Sequence, residues 1–226
     1  MNTEYPDRRN MGKLDGWLVL DGYEDEPAAF GVPNYVGFHI RYICGVLEER
    51  GIEYTYMTVD QWRRSFKSEL STLEGRKNVR EQMGELDGAI LLAGAVVPGK
   101  YIRGTPISRG ETDSFLSSIP NRIPVICGGW AIRHWRQSGW VSPRSNLFCS
   151  LKDIDATLNH FLSTGKMSHK KRSPDEWSRW ALRGASSKAV VEHPDLISPN
   201  GSHGPLTYEV ELYQGCLLYT SDAADE

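Results

Sequence analysis

At 226 residues the chain has room for one domain of ordinary size plus a substantial further segment, and a core of ~130 to 160 residues folds without disulfide or metal staples. A formal net charge of −3, with both signs mixed along the chain, gives no basic domain face and disfavours bulk nucleic-acid binding. No apolar run approaches the roughly 20 residues of a membrane span, and residues 1–16 lack the apolar core of a signal segment, so a cytoplasmic location is the expectation.

Residues 17–20, Trp-Leu-Val-Leu, read as a short buried strand closed by Asp21-Gly22. A loop punctuated by Pro27, Gly31 and Pro33 follows. Tyr35, Phe38, Tyr42, Ile43, Val46 and Leu47 then repeat at helical spacing, and Gly51 stops that helix. Residues 52–59 alternate and are rich in β-formers, which predicts a second strand. Asp60 is the expected N-cap of a helix starting at Gln61. The charged stretch 67–85 is helical in propensity and weakly amphipathic, and is placed on the surface.

Residues 86–93 form the strongest predicted strand, with the nearly unbroken apolar run of a strand covered on both faces. After a long loop, Ser108 and Glu111 stand at capping-box spacing ahead of apolar Phe115, Leu116 and Ile119. Residues 123–127 predict a fourth strand ended by Gly128-Gly129, and residues 146–149 a short fifth one. Ser150 and Asp153 precede a helix with Ile154, Leu158, Phe161 and Leu162 on one face. Residues 165–205 read as a linker with local structure: a basic stretch, a short helical piece around Trp177 and Trp180, and a small strand at 188–192. Residues 206–213 alternate cleanly as a new strand and run straight into Gln214-Gly215-Cys216.

Five alternations of strand and helix predict an open, doubly wound, mainly parallel α/β sheet with helices on both faces. Ligands of such sheets bind at the carboxyl ends of the strands, which singles out loops 21–34, 94–107 and 128–140. The candidate cofactor-contacting residues are Asp21, Gly22 and Glu24 in the first loop, Gly94, Gly99 and Thr105 in the second, and Gly128 and Gly129 in the third. The glycines allow close backbone approach, and the carboxylates select hydroxyls or a cation. A local alternative for the acidic stretch 21–26 is a solvated loop whose carboxylates satisfy nearby backbone donors. Residues 94–100 fit G-x-x-x-x-G-K, but Tyr101 replaces the magnesium-binding hydroxyl and Pro98 removes a cradle N–H, so a phosphate loop is not expected.

Cys44, Cys127, Cys149 and Cys216 are widely spaced and form no C-x-x-C pair. The first three are expected as small buried hydrophobes. His39, Arg41, Arg133 and His134 read as ordinary packing or surface residues. Trp130, Trp135 and Trp140 are expected to leave an apolar surface for a following domain. Residues 216–226, CLLYTSDAADE, lack the pattern of a strand–loop–helix unit and are similar to the translation of a common transposon-type sequencing adapter. The natural sequence is therefore expected to stop near Gly215, with Cys216 either encoded by the adapter alone or coinciding with the natural residue.

The segments LDGYEDEPAAFGVPNYVGFHIRYICGVLEERG, AGAVVPGKYIRGTPIS, ICGGWAIR and LTYEVELYQGC, in this order, resemble a mainly archaeal family of radical S-adenosylmethionine proteins. Those proteins carry an N-terminal domain of the cobalamin-binding type and a C-terminal helix-hairpin-helix. The resemblance implies a flavodoxin-like, cobalamin-binding-like domain over residues 1–164, a linker over 165–205, and the start of a radical barrel over 206–216. Residues 217–226 would then be a non-native tail. It also implies a [4Fe–4S] cluster and S-adenosylmethionine in the full-length parent, with Cys216 at the first cluster position.

Cobalamin-binding domains of this type often place a histidine in a D-x-H-x-x-G loop after the first strand. Here that loop reads Asp21-Gly22-Tyr23-Glu24-Asp25-Glu26, so any cobalamin would bind without histidine ligation. The expected partner is a small-molecule cofactor or substrate, with no membrane. A stand-alone binding or docking module is the alternative. A nucleic-acid role is suggested only by the family's helix-hairpin-helix, which this chain lacks.

Overall fold

The structure is a computed structural model and describes residues 14, 16–22, 36–94 and 106–191. Strands β1 (Trp17–Gly22), β2 (Tyr54–Thr58), β3 (Gly88–Ala93), β4 (Val125–Gly128) and β5 (Leu147–Phe148) form one sheet in the order β2-β1-β3-β4-β5. Every pairing is parallel. This is the flavodoxin-like order, so the doubly wound α/β reading holds and the parallel character is complete.

The pleat sends alternate residues of each strand to opposite faces. Leu18, Leu20, Ala89, Leu91, Val125 and Cys127 face α2 (Val59–Phe66), α3 (Leu73–Met83), α4 (Arg109–Ser118) and α5 (Trp130–Gln137). Trp17, Val19, Ile90, Leu92 and Ile126 face α1 (Phe38–Glu49), α6 (Ile154–Thr164), α7 (Pro174–Ala185) and α8 (Lys188–Val191).

Three local readings differ from the sequence expectation. Helix α2 starts straight out of β2, so its N-cap is Thr58 and not Asp60. Thr58 Oγ1 accepts from the Gln61 N–H at 3.2 Å, while the Gln61 side chain accepts from the Thr58 N–H at 2.7 Å. Asp60 instead accepts from Arg63 at 2.8 Å. Residues 188–191, expected in a small strand, form a helical turn. Its free N–H groups find acceptors outside the strand ladder: Lys188 N–H reaches Glu48 Oε1 at 3.0 Å and Ala189 N–H reaches Tyr54 Oη at 3.4 Å.

The third difference concerns residues read as linker. Helix α7, boxed by Ser173 and Glu176, lies directly on α1. A Cβ added to Gly45 would collide with the Trp180 carbonyl, and one added to Gly184 with the Arg41 carbonyl, so the two helices cross at backbone contact. Trp180 is 0 % exposed. Burying an indole of this size supplies roughly 1.5–3 kcal/mol or more of transfer free energy, enough to hold a three-turn helix in place.

No described helix is long and apolar enough to cross a membrane.

Candidate functional site

The winding reverses between β1 and β3, because β1 is followed by a neighbour on one side and β3 by one on the other. At the carboxyl edge this brings Asp21 beside Leu92, Gly22 beside Ala93, and Leu92 beside Gly128. Asp21, Gly22, Gly94, Gly128 and Gly129 thus converge on the topological switch point. Glu24, Gly99, Thr105 and Cys216 lie outside the described residues.

Asp21 is 1 % exposed and accepts a hydrogen bond from Tyr56 Oη at 2.9 Å. The strand register places Tyr56 beside Val19, so its hydroxyl reaches along β1 to the carboxylate two residues on. Three of the glycines are close-packed against protein. The Cβ space of Gly22 is filled by Leu92 and Ile107, and the Ile107 N–H donates to the Gly22 carbonyl at 3.2 Å. Gly128 lies under Ile154. Gly129, with φ +113°, sets its backbone against Ala93, an approach and a torsion that an L side chain forbids.

The segment entering α4 is latched to α2. Arg63 donates to both oxygens of Glu111 at 2.7 and 2.9 Å, to Asp60 at 2.8 Å and to the Pro106 carbonyl at 3.1 Å. Glu111 also accepts from the Ser108 N–H and hydroxyl at 2.9 Å, completing the expected capping box. The guanidinium of Arg63 and these donors hold the Glu111 carboxyl down to about 2.

A second polar cluster lies on the α1 side and was not singled out from the sequence. Arg172 donates to Asp155 Oδ2 at 3.0 Å, with both side chains nearly buried, and its guanidinium stands 5.3 Å from the Tyr42 ring. The Arg172 N–H donates to Asp153 at 3.3 Å. Burial pushes the Asp155 carboxyl up to about 6, against the opposing pull of Arg172. His39, 6 % exposed and edge-on to Tyr42 at 6.0 Å, is pushed down to about 3, first by burial and then by Arg172. Its imidazole is therefore neutral at physiological pH. In the sequence Asp155 is one more acid in a helix's first turn, and Arg172 the end of a basic run; nothing local marks them as a pair.

The three described thiols are protonated. Cys44 and Cys127 are buried and raised well above the usual thiol range, and burial pushes Cys149 up to about 12. Cys44 and Cys127 are the small hydrophobes expected, and Cys149 is half-buried. Among the described residues no group of three or more His, Cys, Asp or Glu could hold a metal ion. Of the three tryptophans expected on an apolar surface only Trp130 is exposed. Trp140 is buried between Trp135 at 5.9 Å and Phe148 at 5.8 Å, and its indole N–H donates to Asp113 at 2.8 Å.

No family model matches the chain. It is 30% identical over 211 residues to an uncharacterized protein of Methanocaldococcus jannaschii, covering 88% of this chain and 35% of that protein. It is 28% identical over 198 residues to an uncharacterized protein of Archaeoglobus fulgidus, covering 88% and 32%. The chain thus spans about a third of the length of the curated relatives it matches. Among solved structures, a diflavin flavoprotein A3 from Nostoc sp. aligns with TM-score 0.32 and 9% identity over 76% of this chain and 90% of that one. A flavodiiron core from Synechocystis aligns with TM-score 0.29 and 14% identity, over 78% and 37%.

Proposed function

We propose that this α/β domain is the ligand-positioning front domain of a radical S-adenosylmethionine iron–sulfur protein, holding a small-molecule cofactor or substrate at the carboxyl edge of its sheet. The observation that carries the positioning role is the switch point itself. Buried Asp21, the close-packed Gly22, Gly128 and Gly129, and the latched start of α4 make a rigid floor where ligands of open α/β sheets bind. The radical reading rests on the resemblance of the four sequence segments. The greater length of the archaeal relatives accommodates a further catalytic domain.

In that family a [4Fe–4S] cluster, when bound, would supply the electron for reductive cleavage of S-adenosylmethionine. The described residues do not fit such a cluster: Cys44, Cys127 and Cys149 are separate, buried or half-buried, and protonated. Any cluster belongs to Cys216 and to residues of the full-length parent. The contribution of this chain is to bind and orient. The first loop, residues 21–26, offers no histidine to cobalt, and His39 is packed against Tyr42 inside the domain. Cobalamin would be held without protein imidazole.

Titration of the full chain with hydroxocobalamin, followed by visible absorption, tests the site. Saturable binding without the spectrum of imidazole on cobalt, weakened by Asp21→Asn, is the expected result. An imidazole-bound spectrum would overturn the reading of the first loop. Absence of binding to hydroxocobalamin and to S-adenosylmethionine would favour a docking module.

A further inference from the structure

The even balance of the whole chain conceals a local excess. Residues 166–191 hold seven Lys and Arg against two acids, net +5, which leaves −8 on the rest. The structure shows how part of that excess is presented. Helix α6 ends at Gly165, left-handed with φ +68°, and the chain doubles back along the helix. The Lys170 N–H donates to Thr157 Oγ1 at 3.2 Å, and that hydroxyl donates to the Lys170 carbonyl at 3.3 Å. Two residues on, Arg172 is held by Asp153 and Asp155.

The backbone of this strap is therefore pinned while Lys166, His169, Lys170 and Lys171 are exposed. Arg50, at the end of α1, stands on another flank of α6. It donates to Asn159 Oδ1 at 2.7 Å and to Ser163 Oγ, both neutral, so its charge is uncompensated. Among the described residues Arg50, Lys166, Lys170 and Lys171 make no ion pair. Thr157 to Thr164 spans roughly 10 Å of helix, so Lys166 and Lys170 stand near the two ends of one short strap, whereas Asn159 and Ser163, which hold Arg50, lie about 200° and 240° around α6 from Thr157.

We propose that the 165–171 strap, through Lys166, Lys170 and Lys171, binds the phosphate backbone of single-stranded nucleic acid. Composition averages over the chain, whereas a polyanion meets only the charges on one side. A single strand suits the narrow row of cations. A membrane surface is disfavoured because only Met167 and Leu182 are exposed large apolar side chains on this stretch. The inference is independent of the ligand proposed at the carboxyl edge.

The test is fluorescence anisotropy of the full chain with labelled oligouridine and oligodeoxythymidine of about 20 nucleotides, from about 50 to 200 mM KCl. Three phosphate contacts to a single strand predict a slope of log affinity against log salt of about −2. The combined Lys166→Ala, Lys170→Ala and Lys171→Ala variant should weaken binding at least about tenfold and bring the slope to about 0. Its unfolding should be unchanged, because Thr157 bonds the backbone of Lys170 and not its side chain. Lys67→Ala with Lys77→Ala, on the other face, should leave binding as it was. Equal binding of both oligonucleotides identifies phosphate as the ligand, and a preference for oligouridine assigns RNA through its 2′-hydroxyl. Absence of salt-dependent binding overturns the proposal. So does equal loss in the control variant, or capture by phosphatidylserine vesicles without oligonucleotide binding.

Discussion

Against α2–α5 the sheet presents Leu18, Leu20, Leu91 and Cys127, met by Trp62, Phe66, Phe115 and Met83, and the polar contacts stay at the rim. Against α1, α6 and α7 it presents Trp17, Val19 and Ile90, but also Asp21, Tyr54 and Tyr56, met by Glu48, and beside them stand His39 and the Asp155–Arg172 pair. The first face is held by shape and dispersion, which are indifferent to pH. The second adds directional bonds among desolvated groups, which fix where α7 and the strap sit but tie that packing to protonation. The face that carries Asp21, α7 and the strap is thus the one whose geometry is specified by polar contacts.

Phe115→Ala is expected to have the largest effect. Phe115 is fully buried and edge-on to Trp62 at 5.2 Å, so its removal should cost about 3–5 kcal/mol, equally at pH 5 and pH 8 in urea denaturation. Arg172→Met should cost about 3 kcal/mol at pH 8, because it leaves Asp155 charged and buried. The loss should shrink at pH 5, where the unpaired carboxyl is protonated. Equal losses for Arg172→Met at the two pH values would dissolve the contrast between the faces.

Gly184→Val should cost about 1–3 kcal/mol by forcing α7 off α1. Unchanged stability would show α7 to be a loosely attached linker after all.

The pH profile itself sharpens the comparison. His39 has its folded value depressed to about 3, so its contribution is present above the unfolded 6.5 and is lost as pH falls toward 3. Asp155 has its folded value raised from 3.8 to about 6, so its contribution is present below 3.8 and is lost as pH rises through 6. Between about 4 and 6 the two slopes oppose, and the native protein should show little net dependence from this cluster. Asp155→Asn should expose the histidine slope, up to about 1.4 kcal/mol per pH unit, measurable as a falling urea midpoint on acidification.

The smallest effect belongs to Glu111, held at about 2 from an ordinary 4.5. Its stabilisation is present above 4.5 and lost as pH falls toward 2. Being partly exposed and screened, it should amount to about 1 kcal/mol or less, and Glu111→Gln should remove that segment of the acid transition.

Much of the fold was legible because the features that encode it are local. The unbroken run at 88–93, the alternation at 54–58 and the spacing Ser108–Glu111 each state a backbone geometry within a few residues. The errors lay where an element borrowed its termini from elsewhere. Asp60 was a sound N-cap by type, but β2 runs directly into α2 and Thr58 took the place. Residues 188–191 favour β structure by composition, yet Glu48 and Tyr54 supply helix acceptors from about 140 residues away. For the candidate site, the sequence located the strand ends and their glycines. The structure added that Gly22, Gly128 and Gly129 are closed over by their own neighbours.

By itself the sequence determined the alternation of strands and helices and the capping box at Ser108, since periodicity and capping act over single turns. Only the tertiary structure decided which charges are buried and which are displayed. Asp155 and Asp175 stand alike in first helical turns, and Lys171 and Arg172 are neighbours in one basic run. Yet Asp155 and Arg172 close on each other inside the domain, while Asp175 and Lys171 remain in solvent. The state of a charge is set by what surrounds it within a few ångströms, and here that surrounding comes from α1, more than 100 residues earlier in the chain.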